Sequence, residues 1–166
     1  MTQTMEASEK ATGENLTLKI SRVIRAKRER VFEAWTKPEI IQQWFGPGDL
    51  KVASANADVR VGGTYRIEMA GPSATPESSA DGAGITRRPS ATGIYKAIIP
   101  NHMLCFTWHG DWNPAEDTLV TVELRDVEGG TEVTLTHERF ATAESRDRHQ
   151  HGWSGSLEKL AKLLEK

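Results

Sequence analysis

AESRDRHQHGWSGSLEKLAKLLEK, residues 143–166, is the stretch whose reading decides the fold. Trp153, Leu157, Leu160 and Leu164 recur at helical spacing and form one apolar stripe. Thr142 is placed to cap the helix start, and Glu144 suits the positive end of the helix dipole. Glu158 and Lys162 lie one turn apart on the outer face, where an exposed pair adds little. Winding the helix at about 100° per residue brings Arg146 and His149 under the same stripe and sends His151 to the opposite side. The inner face is therefore leucine-lined below and polar-aromatic above. A helix that only plugs a core needs no cation and imidazole there; one that closes over a pocket can use both. Gly152 and Gly155 interrupt the helix, at roughly 1 kcal/mol each relative to Ala. They read either as a tolerated kink or, for Gly152 at the stripe's edge, as a close approach of sheet or ligand.

Working outward, the rest of the chain supplies a sheet for this helix to cover. Leu16 to Ile24 alternates at first and predicts a strand. Ala26 to Trp35 turns helical, with Val31, Phe32 and Trp35 on one side. Pro38 opens a second short helix, Glu39 to Trp44, which Gly46-Pro47-Gly48 ends. Strands follow over Leu50–Asn56, Thr64–Ala70, Ala91–Ile99, Met103–His109, Thr118–Arg125 and Thr131–His137, with Gly62-Gly63 and Glu128-Gly129-Gly130 as turns. Strands joined by short turns make an antiparallel meander with one apolar face, and the sheet is expected to curl around the last helix. Residues 1–14 read as a polar, disordered lead-in. Gly71 to Ser90, rich in Gly, Pro, Ser and Ala, reads as a long mobile loop inside a single domain spanning 15–166.

Composition narrows the function classes. The chain has 166 residues, a formal net charge of -2 and 27% charged residues, with no basic block to bind nucleic acid. No apolar run is long enough for a bilayer and no secretory signal is present, so cytoplasm is the expected location and no membrane partner is expected. A lone Cys105 excludes an internal disulfide and fits a reducing compartment.

Several stretches resemble the Hsp90-ATPase-activator-homologue (AHSA1-like) family of the START-like (SRPBCC) superfamily. Val31-Phe32-Glu33-Ala34-Trp35-Thr36-Lys37-Pro38, followed by Trp44-Phe45-Gly46-Pro47, is similar to the family's entry. Asp58 to Arg66 is similar to its second motif; Gly93-Ile94-Tyr95 with Leu104 to Trp108 is similar to its third. Leu135-Thr136-His137 and His149 to Trp153 resemble its C-terminal pattern. The resemblance runs from about Leu16 to the end, and the segment Gly71–Ser90 departs from it by its length. It implies an α+β helix-grip fold: a curved antiparallel sheet of about six to seven strands wrapped around the C-terminal helix, with two short helices after the first strand. It also implies a choice of functions, because this superfold carries ligand carriers, cyclases, hydrolases and co-chaperone domains.

Five tryptophans are an appreciable number for this length. The expected site is a hollow between sheet and helix with an apolar wall from Trp44, Phe45, Tyr65, Met69, Phe106, Trp108 and Trp153. His137, inward with Val133 and Leu135, together with His149 and Arg146, would orient a polar group such as a carboxylate or phenol. The expected partner is a hydrophobic small molecule. The alternatives are docking to an Hsp90-type chaperone and a cyclase or hydrolase with His137 or His149 as general base. An exposed edge strand leaves a homodimer open. Asp111, Glu116 and Asp117 read as a solvated acidic loop. No CxxC, HExxH, Gly-x-Ser-x-Gly or phosphate-loop spacing is present, so no metal, nucleophile or cofactor is expected.

Overall fold

A computed structural model describes residues 16–46, 51–70 and 89–165. The expected lead-in, residue 50 and the Gly71–Ser90 segment up to residue 88 lie outside them. Strand β1 (Leu18–Ile24) is followed by helices α1 (Arg28–Thr36) and α2 (Pro38–Trp44). Strands β2 (Lys51–Ala57), β3 (Thr64–Ala70), β4 (Ser90–Ile99), β5 (Met103–Gly110), β6 (Thr118–Val127) and β7 (Gly130–Glu138) come next, and helix α3 (Ala143–Leu164) closes the chain.

All seven strands form one antiparallel sheet in the order β1-β7-β6-β5-β4-β3-β2. The strands from β2 to β7 meander, and β1 returns to pair with β7, from Leu18↔His137 to Ile24↔Thr131. The sheet curls into a half-barrel around α3. Register shifts between Val52 and Ser54 and between Tyr95 and Ala97 contribute, because a bulge bends its strand and increases the local twist. The β6–β7 turn is tight, with Val127 paired to Gly130 and Gly129 at φ 91, the left-handed region that glycine enters without steric cost.

The alternation in β5 and β7 is complete. Leu104, Phe106 and Trp108 point to the core, as do Val133, Leu135 and His137. Helix α3 buries Trp153, Leu157, Leu160 and Leu164 against them, which is the stripe its sequence predicts. Its start is capped as expected, with Thr142 Oγ1 accepting from Ser145 N at 3.0 Å. Its end is tied to α1: Arg30 donates to the Leu164 carbonyl at 2.9 Å, one of the terminal carbonyls that the helix cannot satisfy itself. The first helix begins at Arg28 and not at Ala26, because Ala26 lies in the turn out of β1, where its carbonyl accepts from Thr131 Oγ1. No helix among the described residues is long and apolar enough to cross a membrane.

Candidate functional site

An apolar hollow lies beside helices α1 and α2, over the concave face of β3, β4 and β5. Seven aromatic residues line it: Trp35, Trp44, Phe45, Tyr65, Tyr95, Phe106 and Trp108. Ile41, Ile67, Leu104, Ala57 and Asn56 also line it among the described residues, and none of these residues carries a charge. The volume is about 20 Å³, close to what one water molecule needs. Any larger occupant must displace part of the wall.

The wall's parts differ in how firmly they are held. Trp44 donates its indole N–H to the Ala34 carbonyl at 2.9 Å, which ties α2 to α1. Tyr65 donates its hydroxyl to the Thr107 carbonyl at 2.6 Å, crossing Gly93, where a Cβ would collide with the Tyr65 ring. Burial raises the Tyr65 phenol well above 10, with Tyr95 adding to the effect, so it stays protonated and can donate. Burial, helped by Asp58, pushes Tyr95 up to about 12. Trp108 donates to His149 Nε2 at 3.3 Å. Phe45 makes ring contacts with Trp44, Trp108 and Trp153 at centroid distances of 5.4, 5.9 and 5.7 Å.

Behind Trp108 lies a second layer, in which two imidazoles meet two indoles. Trp153 Nε1 donates to His137 Nδ1 at 3.0 Å. An indole nitrogen only donates, so Nδ1 accepts and the neutral ring carries its proton on Nε2. That Nε2 is 2.7 Å from Thr118 Oγ1, and the same hydroxyl donates to the Trp108 carbonyl at 2.8 Å. His149 has the opposite tautomer: Nδ1 donates to the Ser145 carbonyl at 2.9 Å, and Nε2 receives the Trp108 indole. The two imidazole centroids are 5.0 Å apart. Burial, and then the neighbouring His149, hold His137 well below its usual 6.5. His149 is also lowered by burial, although the Ser145 carbonyl and Glu116 work against the shift. Both rings are therefore neutral at pH 7, and each acceptor nitrogen already takes an indole proton. Neither has a spare lone pair for general-base work in this geometry.

Five of the ten residues expected at the site line the hollow: Trp44, Phe45, Tyr65, Phe106 and Trp108. Met69, His137, Arg146, His149 and Trp153 are not among its lining residues. His137, His149 and Trp153 form the layer behind it. Arg146 turns along its own helix to Asp147, at 3.1 Å. Glu116 departs from its expected place as a solvated loop charge: it is only 7% exposed. Its carboxylate accepts from Ala141 N at 2.7 Å and from Ser145 Oγ at 2.8 Å, fixing the approach to α3 and its first turn. Tyr95 and Trp35 are wall residues that the sequence places only in a strand and in the core. Tyr95 could have been found from the β4 alternation that leads inward from Ala91.

A second concavity, shallow and open, crosses the outer face of β3, β4 and β5 and measures about 730 Å³. It is edged by Asp58, Arg66, His109 and Asp117, with His109 Nδ1 2.9 Å from Asp117. Tyr65 borders both this groove and the inner hollow.

The family model for activator of Hsp90 ATPase homolog 1-like proteins matches residues 25–165. Among curated protein sequences, none matches the chain. Among solved structures, a Rhodobacter sphaeroides protein is 25% identical with a TM-score of 0.74, over 92% of this chain and 95% of its own. A Chromobacterium violaceum protein is also 25% identical, with a TM-score of 0.71 over 90% and 98%. The AHSA1 protein of Silicibacter pomeroyi, at 24% identity, has a TM-score of 0.73 over 90% and 97%, which speaks for the fold alone.

Proposed function

The chain belongs to the activator of Hsp90 ATPase homolog 1-like family, and from that premise we propose that it binds a small hydrophobic, aromatic molecule in the hollow beside α1 and α2. The observation that carries this reading is the wall: seven aromatic side chains converge on one uncharged space. Rings give a planar apolar ligand large contact area and edge or stacking contacts. The small volume means that entry requires movement of the wall. The place of action would be the cytoplasm, in keeping with the single cysteine.

The test is a panel of apolar aromatic compounds, followed by thermal shift and by NMR of the tryptophan indoles. Binding should raise Tm and move the Trp44 and Trp108 signals while leaving His109, on the outer face, unchanged. A folded protein that answers to no member of the panel ends the proposal.

A second reading is docking to an Hsp90-type chaperone. Two observations favour it: the inner hollow is nearly full, and the broader concavity lies on the outer face. Its test is stimulation of the host chaperone's ATPase. Loss of that stimulation on reversing Arg66 and Asp117 would support the outer face, and no stimulation at high concentration removes the reading.

A further inference from the structure

Trp35 has a feature that the other wall indoles lack. It is 5% exposed and lines the hollow, yet its Nε1–H has no hydrogen-bond acceptor among the described residues. Trp44 and Trp108 have theirs, in Ala34 O and His149 Nε2, and so does Trp153 behind them, in His137 Nδ1. A buried donor left unmade costs about 1–3 kcal/mol, and native interiors seldom tolerate it without a reason. The ring is held by its neighbours, Trp44 at 4.8 Å and Trp153 at 5.9 Å between centroids, so it has little freedom to seek an acceptor elsewhere.

The remaining wall limits what that acceptor can be. Among the described residues, no lysine, arginine or histidine lines the hollow, so none of them offsets the desolvation of an anion. The Tyr65 hydroxyl is committed to the Thr107 carbonyl, and Asn56 is exposed at the rim. A ligand carboxylate would lose its hydration and gain one neutral donor. A carbonyl or ether oxygen loses far less and gains the same bond.

We propose that the Trp35 indole N–H is the polar contact of the hollow, and that it selects neutral aromatic molecules carrying one oxygen acceptor. The inference rests on the ligand-binding reading above and narrows it to one ligand class.

Three probes of nearly one shape test it: acetophenone, α-methylstyrene, in which a methylene replaces the carbonyl oxygen, and benzoate. Each is titrated into the full chain by NMR, with the Trp35 indole signal assigned through Trp35→Phe. Acetophenone should bind roughly three- to tenfold more tightly than α-methylstyrene, the range of one net hydrogen bond. It alone should move the Trp35 indole proton downfield, and benzoate should not bind. In Trp35→Phe the preference for the ketone should vanish while α-methylstyrene still binds. If ketone and alkene bind equally and the Trp35 signal stays in place, the inference is overturned and the ligand-binding reading survives. Benzoate binding as well as acetophenone overturns the selection for neutral ligands. If no probe binds, and no other apolar compound does, both fall together. Should Trp35→Phe fail to fold, the comparison of the three probes on the natural chain still decides.

Discussion

An imidazole with almost no exposure, as at His137, is costly unless both nitrogens find partners. Here they do, and Thr118 is the pivot: its hydroxyl lies 2.7 Å from His137 Nε2 and passes the chain on to the Trp108 carbonyl. Valine has nearly the same shape and no hydroxyl. Thr118→Val should strand the imidazole N–H and lower the unfolding free energy by about 1–3 kcal/mol, measured as a drop in the urea midpoint with an unchanged m-value. An unaltered midpoint would mean that the relay holds nothing together. The sequence made half of this visible. Alternation in β7 turns His137 inward, and helical winding does the same for His149. It did not reveal that each ring would be satisfied by an indole, because that depends on where α3 lands on the sheet. Nor could it show Thr118 as the partner, since Thr118 reaches His137 only as a diagonal neighbour once Val120 pairs with His137. Arg146 shows the opposite failure. Its Cα lies on the inner side of the helix, but a long side chain turns to its nearest charge, Asp147.

At the scale of elements, α3 is held by apolar burial along its length and by two polar devices at its start. Thr142→Ala removes a cap and should cost about 1 kcal/mol. Glu116→Ala removes the bonds donated by Ala141 N and Ser145 Oγ, and a longer one from Asn113 Nδ2, and should cost more, roughly 3 kcal/mol. Both losses should show as faster amide exchange over the first turns of the helix, with the leucine end still protected. Equal exchange along the whole helix would mean that α3 opens as one unit. Helix and strand periods were legible because each element has one buried face; the stripe from Trp153 to Leu164 and the β5 alternation run through the structure as read. Glu116 was not, since loop composition says nothing of which loop carboxylate the helix start will cover. The start of α1 is not legible for a similar reason: Ala26 is held in the turn by a hydrogen bond from Thr131, far along the chain.

For the whole molecule, the paired histidines couple acidity to the fit of sheet and helix. Both have lower pKa values folded than unfolded, chiefly through burial. The unfolded chain therefore takes up protons first. Stability from this source is fully present above the unfolded value of 6.5 and is lost as pH falls below it toward the folded values. Each histidine can add a slope of up to about 1.4 kcal/mol per pH unit in that window. The structural cost is plain, because protonation turns His149 Nε2 and His137 Nδ1 into donors that face indole donors. Trp108 is both a wall of the hollow and the partner of His149, so the first signs of acid loosening should come from its indole. Urea unfolding followed by tryptophan fluorescence from pH 8 to pH 5 reads the slope. Exchanging both histidines for glutamine, which keeps an acceptor for each indole, should flatten the curve between about pH 6.5 and 5; either single exchange should remove part of the slope. A double variant as acid-sensitive as the natural chain would place the proton uptake elsewhere and free the two imidazoles from this role.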